Sequence, residues 1–508
     1  MILRRTQSLC PVCLRRLDAA YVRPEAAPEA VLLEKTCPEH GLFRVPVWRD
    51  GGPRRQGAAG SALPVFETWT RPKSPSYPRA PRTPTVYGCP FDCGLCPEHA
   101  QHTCTGLLEV TLRCNLACPV CYADGGTATA PPDPDLACLA AQLDVLARAS
   151  GPCNVQLSGG EPTVREDLPA IVALARARGF GLVQLNTNGL RLAEPGYAQR
   201  LQEAGLDSVY LQWDGVSEAT FRTLRGRDCL EFKRAAVRAC GAAGLGVVLV
   251  ATVVRGVNDA ELGDLLRLAL ALGPTVRGLH VQPAAFFGRY PWSLGAAPRC
   301  TLPEVMAALA AQAPELVNAA QFHPPGCENE LCSCSAVYRR SADPDGRPGL
   351  QWLGQGGSCC TPAAAGASSA ESAPAVSPKA LPFVPPSAEE GARKAKQFVA
   401  LHWKGAGAPA AAVAGQPAAA APQIPAPHNP DAGRAALAQD SFSRFLAQAG
   451  VEQRFTLSSM AFQDALSLDV ARVRGCCIHV LRPDGRMIPF CLHNLTAADG
   501  TRLYKVGP

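Results

Sequence analysis

The segment Leu107–Asp124, LLEVTLRCNLACPVCYAD, decides how the rest of the chain is read. Its start, Leu107 to Leu112, has the apolar, β-branched composition of a buried strand and stops at Arg113. Cys114, Cys118 and Cys121 follow with the spacing C-x3-C-x2-C, so a strand delivers three thiolates to one short turn. Soft thiolates grouped in this way select an iron–sulfur cluster or zinc. A structural zinc asks for a fourth local ligand, whereas a 4Fe–4S cluster held by three cysteines leaves one iron free for a substrate or cofactor. A second apolar run, Val155–Leu157, ends in Ser158-Gly159-Gly160-Glu161-Pro162. The competing reading of the two segments is a zinc knuckle followed by a glycine turn.

Outward from these motifs the pattern alternates. Strands are expected at Leu107–Leu112, Asn154–Leu157, Gly181–Asn186, Ser208–Gln212, Gly246–Val253 and Gly278–Gln282. Helices are expected between them at Asp135–Ala149, Glu166–Ala177, Gly196–Ala204, Leu230–Ala242 and Asp259–Leu272, with apolar residues at three- and four-residue spacing. Right-handed crossovers turn six such units into an α/β fold, a partial (β/α)6 TIM-like barrel, whose active site sits at the carboxyl ends of the strands. Both motifs lie at such ends.

The flanks are rich in cysteine. At 508 residues the chain is long enough for roughly two to four domains. It carries 23 cysteines, in ligand-like groups rather than a scattered even framework, which points to metal sites in a reducing compartment. The net charge of +6 is mild, and no basic block argues for nucleic acid. No apolar run is long enough to span a bilayer, and MILRRTQSLC lacks a signal-peptide core. A cytoplasmic protein is expected. In residues 1–50, Cys10 and Cys13 face Cys37 and His40 across a predicted hairpin, the pattern of a zinc-ribbon or rubredoxin-like site for mononuclear zinc or iron; His40 is equally a turn residue before Gly41. Residues 51–86 read as a Pro/Arg/Gly linker, anchored by Phe66 and Trp69. Residues 87–320 open with a second C-x3-C-x2-C, Cys89, Cys93 and Cys96, for which Cys104 is a candidate fourth ligand; an auxiliary cluster and a structural zinc compete there.

Residues 321–355 form an extension carrying Cys327, Cys332 and Cys334. Residues 356–435 are Ala/Pro-rich, with the pair Cys359-Cys360 and a short helix over Glu389–Trp403, and are expected to carry no chemistry. Residues 436–508 form a small C-terminal unit in which a hairpin around Pro483-Asp484-Gly485 brings Cys477 opposite Cys491; Cys327 and Cys332 would complete one further cluster or metal site, or the thiols are simply buried.

C-x3-C-x2-C followed by GGEP resembles the radical S-adenosylmethionine (AdoMet) superfamily. CPVC…CPEHG, GCPFDCGLCPEH and MAFQDALSLD…RGCCIHVLRPDGRMIPFC together resemble the tetraether lipid synthase group and its TrsS-type bacterial relatives. The resemblance implies that a 4Fe–4S cluster on Cys114, Cys118 and Cys121 chelates AdoMet and splits it reductively. The resulting 5′-deoxyadenosyl radical takes hydrogen from an unactivated carbon, for carbon–carbon coupling on a lipid-like substrate. Methylation of a small molecule, a peptide-modifying maturase and a non-catalytic iron–sulfur carrier are the alternatives. It also implies one or two auxiliary 4Fe–4S clusters and an electron donor such as a ferredoxin or flavodoxin. AdoMet would be met by Ser158, Gly159, Gly160 and Glu161, by Asn186, Thr187 and Asn188, and by Gln212, Asp214, Asn258 and Gln282. Asn258 serves equally well as the start of a helix.

Overall fold

Apolar alternation between Thr105 and Pro283 becomes six parallel strands: β5 (Thr105–Thr111), β6 (Asn154–Gly159), β7 (Leu182–Thr187), β8 (Ser208–Gln212), β9 (Gly246–Val253) and β10 (Val276–Pro283). The computed structural model describes residues 1–50, 63–70, 73–126, 131–151, 153–342, 345–354, 387–405 and 453–504. Helices α1 (Leu136–Ser150), α2 (Leu168–Arg176), α3 (Tyr197–Glu203), α4 (Glu218–Arg225), α5 (Leu230–Ala242) and α6 (Leu262–Ala271) form the crossovers. α4 is an addition to the expected set. Ser217 caps its first turn by accepting from Thr220 N, and Gly226, at φ +79°, ends it. Leu108, Val110, Val155, Leu157, Val183, Leu185, Val209 and Leu211 are buried between sheet and helices.

The sheet is wider than six strands. β13 (Arg454–Met460) adds parallel to β10, and β14 (Ile478–Leu481) adds parallel to β5. The C-terminal segment thus extends both ends of the parallel sheet. An antiparallel hairpin, β11 (Ser333–Ala342) with β12 (Pro348–Trp352), continues beyond β13, and β15 (Met487–Pro489) continues beyond β14. Helix α7 (Leu302–Gln312) packs after β10.

Residues 1–50 form a four-stranded antiparallel sheet: β1 (Ile2–Leu9), β2 (Arg16–Val22), β3 (Ala30–Cys37) and β4 (Gly41–Arg49). It docks on the loop after β13. Lys35 Nζ, buried, donates to Ser8 Oγ and to the carbonyls of Ala465 and Leu466, each at 2.8 Å. Asp469 accepts from Arg4, Thr6 and Tyr21. Phe66 packs on Tyr21 and Trp48, and Trp69 Nε1 donates to Glu330 O at 2.8 Å, so both anchors hold to folded neighbours. Cys359-Cys360 and most of the Ala/Pro-rich segment lie outside the described residues.

The helix inside that segment, α8 (Ala388–Trp403), has a place that its surroundings in sequence conceal. It packs against β6, β9, β10 and β13. Lys396 Nζ donates to Ser150 O at 3.0 Å, and Gly405 N donates to Asp207 O at 3.3 Å. Those partners precede β6 and β8, so α8 closes the amino-terminal mouth of the barrel. Lys394, Ala395, Phe398, Val399, His402 and Trp403 of this helix line the cavity inside the barrel.

Candidate active site

The cysteine loop is held from two sides by arginine. Arg225 Nη1 donates to Val120 O at 2.8 Å, and Arg289 Nε donates to Cys118 O at 2.8 Å. Cys121 and Arg289 also exchange two backbone hydrogen bonds of 2.9 Å. Arg225 is itself fixed by a forked pair with Asp214, at 2.6 and 2.7 Å. Burial pushes the Cys114 thiol up to about 12, so a metal taken up here must displace its proton.

The glycine motif is stitched to this loop by backbone. Gly160 N donates to Thr111 O at 2.8 Å and Glu161 N to Arg113 O at 2.9 Å. A Cβ on Gly159 or Gly160 would strike the carbonyl of Thr111 or Arg113, so only glycine permits the approach. Glu161 is fully enclosed. It accepts from Thr163 N and Oγ1, from Thr187 Oγ1 at 2.6 Å and from Asn188 N at 2.7 Å, which ties the GGEP turn to the TNG segment. Asn188 Nδ2 continues the chain to Asn115 Oδ1 at 2.8 Å, inside the cysteine loop.

These elements open onto one cavity of about 490 Å³, within the size range of small-molecule sites. Of the residues named from sequence, Ser158, Gly159, Gly160, Glu161, Asn186, Thr187, Asn188, Gln212 and Gln282 line it. Asp214 and Asn258 do not. Asp214 is spent on Arg225 and on Thr252 N; Asn258 accepts from Val254 N and donates to the carbonyls of Asp214 and Thr252. Both brace the strand ends. Gln212 is oriented by Lys233, whose Nζ donates to Gln212 O, Gln212 Oε1 and Asn188 O; burial pulls this ammonium down to about 8.

The cavity descends through the barrel to a second cysteine group at the opposite mouth. The sulfurs of Cys104, Cys327 and Cys477 lie within 4.8 Å of one another. This grouping departs from the expected one, which put Cys104 with Cys89, Cys93 and Cys96, and Cys327 and Cys477 with Cys332 and Cys491. The physical reason is strand pairing. Thr105 is in register with Ile478, so the residues just before each strand, Cys104 and Cys477, become neighbours. The Cα atoms of Cys104 and Cys327 are 7.8 Å apart, beyond the span of an ordinary disulfide, and a third thiol shares the spot; the donor set suits a cluster or metal better than a bridge.

Cys332, Cys476 and Cys491 are near enough to act on one another's thiols, and Cys476 and Cys332 act on Cys477 as well. Burial first, then the neighbouring Cys332, raises the Cys491 thiol to about 12, and Arg472 Nη2 lies 3.5 Å from Cys332 Sγ. Cys89, Cys93 and Cys96 are buried in their own loop, where Asp92 accepts from the backbone N–H groups of Val86, Tyr87 and Gly88. In the N-terminal sheet, Cys10, Cys13, Cys37 and His40 converge within 4.8 Å, three sulfurs and one nitrogen, as a tetrahedral zinc or iron site requires.

Sequence reasoning missed the cavity's middle. Asn154 and Gln156 on β6, Tyr210 on β8, His280 on β10 and Ser458 on β13 line it. The signal was available: parallel strands covered on both faces are usually apolar throughout, whereas NVQLSG and SVYLQ place a polar or aromatic residue at every second position, and LVQLNT does so from Gln184.

Residues 108–269 match the model of the radical SAM superfamily, and residues 2–49 that of the HMPTM N-terminal zinc ribbon domain. The 7,8-dihydro-6-hydroxymethylpterin dimethyltransferase of Methanocaldococcus jannaschii is 31% identical over 97% of this chain and 93% of its own. The chain belongs to the radical SAM superfamily. It is an enzyme that uses S-adenosylmethionine with a 4Fe–4S cluster. A probable GTP 3′,8-cyclase of Methanothermobacter thermautotrophicus is 32% identical over 35% of this radical SAM enzyme and 58% of the cyclase. Among solved structures, Streptococcus suis SuiB bound to S-adenosylmethionine superimposes with a TM-score of 0.32 at 12% identity, covering 40% of this chain and 44% of SuiB. Among the described residues no helix is long and apolar enough to cross a membrane.

Proposed function

We propose that the enzyme forms a carbon–carbon bond at an unactivated carbon of a small organic substrate held in the barrel, most simply by methyl transfer: the substrate hydrogen leaves in 5′-deoxyadenosine, a second AdoMet or another one-carbon donor gives up the methyl group, and the external reductant supplies the electrons. The observation that carries this reading is one cavity bounded by the Cys114–Cys118–Cys121 loop at one mouth and by Cys104, Cys327 and Cys477 at the other. Cys114, Cys118 and Cys121 would hold the AdoMet cluster, which supplies a carbon-centred radical able to take hydrogen from an unactivated C–H bond. Arg225 and Arg289 hold the loop that carries those thiols. Ser158–Glu161 and Asn186–Asn188 would seat AdoMet's polar groups, with Glu161 keeping the two segments in register rather than touching the ligand. The barrel wall would limit water's access to the radical.

Cys104, Cys327 and Cys477 would hold an auxiliary cluster facing the substrate. Cys89, Cys93 and Cys96, and separately Cys332, Cys476 and Cys491, offer donors for further iron, and Cys10, Cys13, Cys37 and His40 for mononuclear zinc or iron. A ferredoxin or flavodoxin in a reducing compartment such as the cytoplasm would supply electrons. The methyl-transfer form is supported by the relative named as a dimethyltransferase that matches almost end to end. Coupling on a lipid-like chain is the second reading, favoured by the apolar cluster of Leu107, Phe287, Phe490 and Phe462 in the wall.

Anaerobic incubation of reconstituted enzyme with AdoMet and dithionite, with 7,8-dihydro-6-hydroxymethylpterin or a phospholipid, tests this. 5′-Deoxyadenosine and a substrate heavier by added carbon are expected. A folded, iron-loaded protein that makes no 5′-deoxyadenosine overturns it.

A further inference from the structure

Polar groups without partners collect where α8 meets the strands. Asn154, only 2% exposed, has neither amide atom hydrogen-bonded among the described residues, and the same holds for Nε1 of Trp403 and Nε2 of His402. All three residues line the cavity. Leaving such groups unpaired is costly, so a site that retains several of them together is built for a ligand that pairs them.

The chemistry of that ligand follows from the atoms. His402 Nδ1 lies 2.8 Å from the carbonyl of Phe398, which can only accept, so Nδ1 carries the proton. Burial pulls His402 down to about 4, so the ring is neutral and Nε2 offers a lone pair. Trp403 Nε1 can only donate. The Asn154 amide does both. The surrounding surface is flat and aromatic: Phe398 stacks on His402 with centroids 3.9 Å apart, and Tyr210 lies 5.7 Å from Trp403 and 5.4 Å from His280. Planar faces with an alternating donor and acceptor edge match a heteroaromatic ring bearing an amide-like edge. An alkyl chain would cover these atoms and leave them unpaired.

We propose that α8 is the floor of the substrate site, and that Asn154, His402 and Trp403 read the donor–acceptor edge of a planar heteroaromatic ring, as in a pterin or a purine. This rests on the reading of the cavity as the substrate site. Substrate choice is then set partly by a helix standing inside an Ala/Pro-rich segment. The ring lies between the AdoMet loop and the Cys104 group, with Ala392 of α8 touching the latter: Cys104 Sγ is 3.7 Å from Ala392 O.

The test is anaerobic titration calorimetry on the full-length, iron-loaded chain with three probes: 6-hydroxymethylpterin, guanosine and decanoate. Binding of one ring probe and not of decanoate is expected, and which ring binds separates pterin from purine. Asn154→Leu and His402→Phe should each weaken that binding at least tenfold, while Gln397→Ala, on the exposed side of α8, leaves it unchanged. Melting temperature and iron content confirm that each variant is folded. Ring binding that both variants retain at wild-type strength overturns the proposal, as does a wild type that takes decanoate and neither ring. Either result can occur while the wild type still makes 5′-deoxyadenosine, so the assignment of the floor fails separately from the proposed function.

Discussion

The backbone N–H of Cys104 donates to the carbonyl of Cys477 at 2.8 Å, joining two cysteines from opposite ends of the barrel sequence. Both residues stand immediately before parallel strands, and the pairing of those strands makes their thiols neighbours. The site at the lower mouth is therefore a product of topology rather than of a local motif.

Replacing either cysteine should empty that site alone. Cys104→Ala or Cys477→Ala is expected to lower iron and sulfide by one cluster's worth per chain while Cys114→Ala lowers a different signal. Electron paramagnetic resonance of the dithionite-reduced variants distinguishes the two. Identical spectra for Cys104→Ala and wild type would remove this group from the metal sites.

Glu161 gathers donors from Thr163, Thr187 and Asn188. Glu161→Gln turns a donor toward donors and loosens the contact between the GGEP turn and the TNG segment. A rise of about tenfold in the KM for AdoMet is expected, the equivalent of roughly 1.4 kcal/mol. The rate of 5′-deoxyadenosine formation at saturating AdoMet should change less, because Glu161 organises the binding segments and is not placed at the reacting atoms.

Arg225 and Asp214 are both buried, so removing one strands the other. Arg225→Met should cost about 3–5 kcal/mol in urea unfolding and also release Val120 O at the cysteine loop. Arg225→Lys restores charge without the fork and should recover stability only in part. Iron content at Cys114–Cys121 is the companion measurement.

Acid should unfold the barrel early. Burial pulls His99 and His402 down to about 4 and His280 to about 3, against an ordinary value near 6.5. Between those values the unfolded chain binds protons that the native state refuses. Stability is therefore complete above about pH 6.5 and falls as pH drops toward 4, by roughly 1 kcal/mol per pH unit for each such histidine. Urea midpoints measured from pH 7 to 4 check this, and His280→Gln should flatten the slope.

Asp469 is one of the main fasteners of the N-terminal sheet, beside the Lys35 bonds to Ala465 and Leu466. Asp469→Ala removes the shared acceptor of Arg4, Thr6 and Tyr21 and should destabilise the docked sheet by about 3 kcal/mol or more. Separate melting of this sheet in calorimetry, with the barrel transition retained, is the expected result.

Much of this was legible in the chain and some was not. Three thiols after a strand and a glycine pair after the next require little context, and the six strand–helix units show their period locally. The grouping of Cys104 with Cys477 was invisible, because nothing near Cys104 announces that Ile478 will pair with Thr105. Asp214 looked like a ligand because it ends a strand, but Arg225 on the following helix consumes it. The helix α8 is legible but its place is not, because its neighbours are low in complexity; Phe398, His402 and Trp403 are apolar-bodied residues on a helix that needs a surface to bury them, and the barrel mouth supplies it.

The two outer parallel strands, β13 and β14, carry a consequence for timing. Thr103 and His479 form a hydrogen bond across 376 residues of chain, and neither edge of the six-stranded sheet is covered until residues 454–481 have left the ribosome. Until then β5 and β10 present open hydrogen-bonding edges, a state prone to mispairing and slow to resolve. Cys477 arrives with the last of these strands, so the lower cysteine group cannot be assembled before that strand has emerged and paired with β5. Metal loading at that mouth therefore comes later than it can at the Cys114–Cys121 loop.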